Sequence, residues 1–138
     1  VTAPVLWAAA FSDTSRDLII GRDTPLGETW PRCVVCGFPV VLTADLYAVH
    51  HRRYLSRGGD GRPANGIVVH EHCHMQAIHG DGRTAAAQGW AISRHARRSA
   101  YYAPLLCAFR GWIALDDDGG FRLCTATGRD RRGEDGED

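Results

Sequence analysis

Hydrophobic and polar positions alternate clearly in only a few stretches of the chain, and the middle third holds the best of them. Leu46 to Arg52 (LYAVHHR) consists of β-formers and reads as a strand. Ser56 to Pro63 (SRGGDGRP) is a loop by composition. A second strand, Gly66 to Val69, follows Asn65, and from Glu71 the pattern turns helical through roughly Ile78. His79-Gly80-Asp81-Gly82 ends that helix. The order is strand, loop, strand, helix. Ahead of it, residues 1–31 show weak periodicity punctuated by Pro4, Pro25 and Pro31, with Leu18 to Ile20 reading as a short strand ended by Gly21. Cys33-Val34-Val35-Cys36-Gly37 forms a knuckle, and Phe38 to Leu42 leads out of it. Downstream, the pattern predicts one helical turn at Thr84–Gln88, a strand at Trp90–Ser93 and a β-hairpin from Gly111–Leu115 and Phe121–Leu123 around Asp116–Gly120. From Gly128 the chain is charged, with no apolar residue left to bury, so residues 128–138 are expected to be a disordered tail.

The class is therefore α+β: a flank (1–31), a compact core (32–82), an extension carrying the hairpin (83–127) and the tail. A chain of 138 residues supports one small domain. No apolar run approaches the roughly 20 residues that cross a bilayer, so no membrane partner is expected. Val5 to Phe11 is short and apolar but follows no basic segment, which argues against a signal peptide and for a cytoplasmic protein.

Charge adds a partner. Net charge is zero, yet residues 32–110 hold ten arginines against four acids, while the flanks hold six arginines against twelve acids. A basic middle between acidic ends suits a polyanion. All sixteen basic residues are arginine, which looks like the codon choice of a GC-rich genome and carries no functional conclusion.

Metal chemistry is written in the cysteines and histidines. Cys33-x-x-Cys36 and His70-x-x-Cys73 are half-sites of matching spacing, and four such N/S ligands make a tetrahedral structural zinc site. A staple of this kind suits a small domain. His72 competes for the histidine place, although its adjacency to Cys73 makes a poor chelate. Cys107 and Cys124 have no partner spacing and read as apolar core. The seven histidines, His95 aside, lie between His50 and His79. On a strand, His50 and His51 point to opposite faces, so one can bind a metal while the other faces water or substrate. His74 is held beside Cys73, and Asn65 can bridge backbone groups across the loop.

Taken together, Cys33-x-x-Cys36, Val49-His50-His51-Arg52, Ser56-Arg57-Gly58-Gly59, Asn65 and Cys73-His74 resemble the HNH endonuclease family, in particular zinc-stapled members from bacteriophages and actinobacteria. The hairpin around Gly111-Trp112 is similar, less specifically, to the C-terminal extension of actinobacteriophage members. The resemblance implies a zinc-stabilised ββα-metal core around one catalytic divalent cation. It implies His51 as general base, His50 and His74 as cation ligands, and Asn65 as the brace of the loop that orients His51. Products would be 5′-phosphate and 3′-hydroxyl DNA ends, in a bacterial or phage-infected cell. Mg²⁺ is the expected catalytic ion, with Mn²⁺, Ni²⁺ or Zn²⁺ also suited to histidine ligands. The family usually has cysteine where His70 stands. His79 lies five positions beyond His74, whereas a second ligand on one helix face normally sits four away, so it is a candidate third ligand or phosphate contact. Arg52, Arg53, Arg57 and Arg62 are candidate DNA contacts. Other readings are a non-catalytic zinc-stabilised DNA-binding module and an accessory component of a phage packaging complex. A lone site cuts one strand at a time, so duplex cleavage would call for a homodimer or two encounters.

Overall fold

The computed structural model describes residues 7–131; the expected tail beyond Arg131 and residues 1–6 of the flank lie outside that range. The first element is a helix, α1 (Asp13–Arg22), where a short strand was expected at Leu18–Ile20. The Ser12 hydroxyl accepts from the Ser15 N–H at 3.0 Å, Asp13 stands in the first turn and Arg22 in the last, so capping and dipole outweigh the β-branched Ile19-Ile20 pair. The helix packs against the following sheet at close quarters. A Cβ on Gly66 would collide with the Ile19 side chain, which is fully buried.

Strands β1 (Tyr47–His51) and β2 (Gly66–His70) pair antiparallel, with Tyr47 opposite His70 and His51 opposite Gly66. Every β2 residue before His70 is buried, as a strand covered on both faces must be. At its head sits an ion pair without solvent. Arg22 grips the Asp23 carboxylate through two nitrogens and donates to the Pro63 and Gly66 carbonyls, while Asp23 accepts from the Val68 N–H at 2.9 Å.

After β2 the chain turns helical as expected, but only Glu71–Cys73 (α2) is α-helical. His74–His79 forms a π turn, and α3 (Gly82–Ala87) follows. A Cβ on Gly80 would come within 2.5 Å of the Gln76 carbonyl oxygen, so glycine is what closes the widened turn. A three-stranded antiparallel sheet, β3 (Leu105–Cys107), β4 (Gly111–Leu115) and β5 (Phe121–Leu123), contains the predicted hairpin plus one strand not foreseen.

Two expectations change in this half. Trp90–Ser93 is no strand: Ile92 N–H donates to the Arg52 carbonyl at 2.8 Å, but no ladder extends from it, and Trp90 and Ile92 serve as core. Residues 128–131 are structured, with Asp130 bridged to Cys124 and Arg131 donating to the Arg110 carbonyl. Cys107 and Cys124 are buried, as expected.

The two sheets share one core through the knuckle. Val34 donates to the Val68 carbonyl at 3.0 Å and accepts from the Ala108 N–H at 2.8 Å, and its buried side chain joins Ile67, Val69, Leu105 and Ile113. Among the described residues no helix is long and apolar enough to cross a membrane.

Candidate metal centres and the histidine cleft

The knuckle is shaped by its own backbone. Gly37 N–H donates to the Cys33 carbonyl at 2.7 Å, Cys33 N–H to the Phe38 carbonyl at 2.9 Å, and Gly37 sits at φ +82°, a conformation natural only to glycine. That turn aims Cys33 and Cys36 at the end of β2 and the start of α2. There the ligand atoms of Cys33, Cys36, His70 and Cys73 all fall within 4.8 Å of one another.

His70 rather than His72 completes the set; His72 is exposed and its ring nitrogens are not among the grouped ligand atoms. His70 Nδ1 lies 3.3 Å from Cys36 Sγ, while its Nε2 faces the Pro39 carbonyl at 3.1 Å and Asp45 at 3.7 Å. A carbonyl only accepts, so Nε2 carries the proton and Nδ1 presents its lone pair to the sulfurs, the orientation a ligating histidine needs. The His70 and Cys36 N–H groups point at Cys33 Sγ at 3.4 and 3.5 Å. Burial and the neighbouring thiols push Cys73 up to about 12, and burial also raises Cys36. Crowded thiols held protonated are poor company for one another and a good fit for a soft divalent cation that displaces their protons. The donor set is zinc-like.

A second cluster lies across β1. The ligand atoms of His50, His74 and His79 also fall within 4.8 Å of one another. His50 Nε2 donates to the Trp90 carbonyl at 2.8 Å, which turns its Nδ1 inward. His74 Nδ1 faces Glu71 at 3.3 Å, which leaves its Nε2 only 3.1 Å from His79 Nε2. Burial pulls His50 down to about 3 and lowers His79, which favours in both the neutral form that a ligating imidazole needs.

The π turn explains how His79 joins. In a regular α-helix five residues leave a side chain about 140° off its starting face. An i→i+5 turn instead stacks residues five apart. The spacing that counted against His79 is the spacing this turn accommodates.

His51, the last residue of β1, lies outside both clusters but lines a cleft of about 340 Å³ together with His50, Tyr54, His74 and His79. Its Nε2 donates to the Ala9 carbonyl at 3.0 Å and its ring stacks on Phe11, so Nδ1 holds the lone pair. Burial lowers its pKa. Asn65 is fully buried: Oδ1 accepts from the Arg53 N–H at 2.7 Å, and Nδ2 donates to the Arg53 and Asp60 carbonyls at 3.2 and 2.8 Å. It ties together the two ends of the loop that leaves β1.

The four arginines part company. Arg52 is buried, and its guanidinium donates to the carbonyls of Gly89, Ala64, Tyr101 and Ala103, so it is a core strut and not a phosphate contact. Arg62 is also buried, paired in bidentate fashion with Asp60 and bonded to the Tyr102 hydroxyl. Arg53 is half-buried and donates to the Ala96 and Arg97 carbonyls. Arg57, half-buried like Arg53, lies over the ring of the cleft residue Tyr54, 4.3 Å from its centroid. Composition marks loop arginines as a group; it does not show which of them the backbone has claimed.

Phe11, Tyr54, Glu71 and the Trp90 and Ala9 carbonyls went unnoticed in the sequence. Of these, Glu71 alone carried a signal, three residues ahead of His74 on the helix. In comparisons with known proteins, residues 33–79 match the family model described as HNH endonuclease. No curated protein and no solved structure matches the chain.

Proposed function

We propose, taking the HNH endonuclease domain at residues 33–79 as the premise, that this chain is a metal-dependent DNA endonuclease or nickase. The observation that carries the reading is the cleft. A histidine with a free Nδ1, His51, borders three histidines whose inward nitrogens converge on one point. His51 Nδ1 takes a proton from the attacking water, whose oxygen bonds to phosphorus as the bond to the 3′ oxygen breaks. The 3′ oxygen is then protonated from solvent, giving 5′-phosphate and 3′-hydroxyl ends. When bound by His50, His74 and His79, a divalent cation supplies positive charge to the phosphate and the departing oxygen. Arg57 is placed to add charge at the phosphate without reading bases. An all-imidazole donor set favours Mn²⁺, Ni²⁺ or Zn²⁺ over Mg²⁺, which prefers carboxylate and water oxygens. Zinc at Cys33, Cys36, His70 and Cys73 holds the knuckle against β2 and α2 and takes no part in the chemistry. A zinc-stabilised DNA-binding module without catalysis would have no use for the second cluster.

The test is nicking of supercoiled plasmid with Mg²⁺, Mn²⁺, Ni²⁺ or Zn²⁺ by wild type and His51→Ala. Wild type is expected to nick best with a transition metal, and His51→Ala to lose most of that activity. A wild-type protein that binds DNA but nicks with none of the four ions sinks the proposal.

A further inference from the structure

The stretch 33–79 contains both metal clusters and the base, yet it does not contain what holds the base in place. The segment before α1 lies on His51. Ala9 offers the carbonyl that accepts from Nε2, and the Phe11 ring stacks on the imidazole with centroids 4.0 Å apart and planes 19° from parallel. This segment is fastened on both sides. Gly61 N–H donates to the Ala8 carbonyl at 2.6 Å, and a Cβ at Gly61 would run into the Ala10 carbonyl oxygen, so the two backbones lie against each other where only glycine fits. On the other side Phe11 packs beside Gly66, and Ser12 caps α1.

We propose that residues 8–11 form a strap that positions the catalytic base, with the Ala9 carbonyl selecting its tautomer and the Phe11 ring fixing its plane. The inference rests on reading His51 as the base. An imidazole at a cleft rim populates both tautomers and turns about its χ2 bond, and only one arrangement presents a lone pair on Nδ1 toward the cleft. A carbonyl acceptor excludes the tautomer with the proton on Nδ1. A flat stacked ring restrains the rotation. Ala9 and Phe11 are positioning groups: neither touches the reacting atoms. The strap also supplies a reason for glycine at position 61, since any side chain there would push the strap off the loop.

Phe11→Leu keeps apolar bulk beside Gly66 while removing the stacked ring, and Gly61→Ala displaces the strap without touching His51. In zinc-loaded full-length protein, ¹⁵N spectra of the His51 ring should report the Nε2–H tautomer in wild type and a mixture in both variants. Single-turnover cleavage should fall about 10- to 100-fold in kcat in both, with KM for DNA changed less than about threefold, as expected for lost alignment. Should Phe11→Leu fail to fold, Gly61→Ala carries the test alone. An Nδ1–H tautomer in wild type overturns the proposal, and so does a folded variant with both wild-type tautomer and wild-type kcat. If wild type cleaves no DNA, the nuclease reading fails by itself, and the ring spectra still decide whether the strap sets the tautomer.

Discussion

Replacing Asn65 with alanine should loosen the loop between the strands and cost the protein much of its stability. Asn65 is fully buried and makes three hydrogen bonds to backbone, at 2.7, 2.8 and 3.2 Å. In Asn65→Ala the Arg53 N–H loses its acceptor inside the protein, and a stranded buried donor costs about 1–3 kcal/mol. The Arg53 and Asp60 carbonyls lose one donor each, at a smaller cost because each retains a second lone pair. The sum is about 2–4 kcal/mol, or a fall of roughly 6–15 °C in Tm for a domain of this size. Asn65→Asp keeps the acceptor for Arg53 but turns a second oxygen toward two carbonyls, so it should fall at least as far. Thermal unfolding of the zinc-saturated protein measures the loss, and amide exchange at Arg53 locates it. A variant that loses less than about 0.5 kcal/mol, the range of ordinary surface changes, with Arg53 exchange unaltered, would refute the assignment of Asn65 as the brace.

Three further outcomes follow from the geometry. Arg52→Ala should destabilise the fold by about 3 kcal/mol or more, because it removes charged donors from four carbonyls, whereas Arg57→Ala should weaken DNA binding and leave Tm within about 2 °C; a DNA-binding loss in the first with no loss of Tm would reverse the assignment. Asp23→Asn breaks a pair with no solvent access and should cost about 3–5 kcal/mol in urea unfolding; a neutral result would mean that the Arg22 contacts with Pro63 and Gly66 suffice. Zinc uptake by the Cys33, Cys36, His70 and Cys73 set must release the protons that burial keeps on Cys36 and Cys73, so zinc affinity should rise with pH through the neutral range. Calorimetry in buffers of different ionisation enthalpy reads that release, and Cys33→Ser should abolish stoichiometric zinc; a buffer-independent heat contradicts the proton accounting.

The sequence and the structure agree where local pattern carries the information. β1 and β2 follow from runs of β-formers bounded by turn residues, and the zinc-like set follows from two half-sites of equal spacing. They part where the deciding partner is a backbone atom distant in sequence. The Trp90 carbonyl orients His50 from 40 residues away and the Ala9 carbonyl orients His51 from 42, and carbonyls leave no trace in residue identity. Arg52 looks like its neighbours until its four carbonyl partners are seen. α1 was legible in principle, since Ser12-Asp13-Thr14-Ser15 is a capping sequence, but the β-branched pair that follows pointed the other way. His79 reads from the sequence as only a candidate third ligand for a different reason: an α-helical period puts it off the face of His74, and this segment does not have that period.

That π turn carries a consequence for how the chain tolerates a change of length. An i→i+5 turn is what remains when a helix takes in one residue and keeps its flanking turns. Deleting the exposed Gln76 would return the segment to ordinary i→i+4 bonding and leave the two histidines four apart, again on one face. The cation cluster is therefore compatible with two lengths of the same helix.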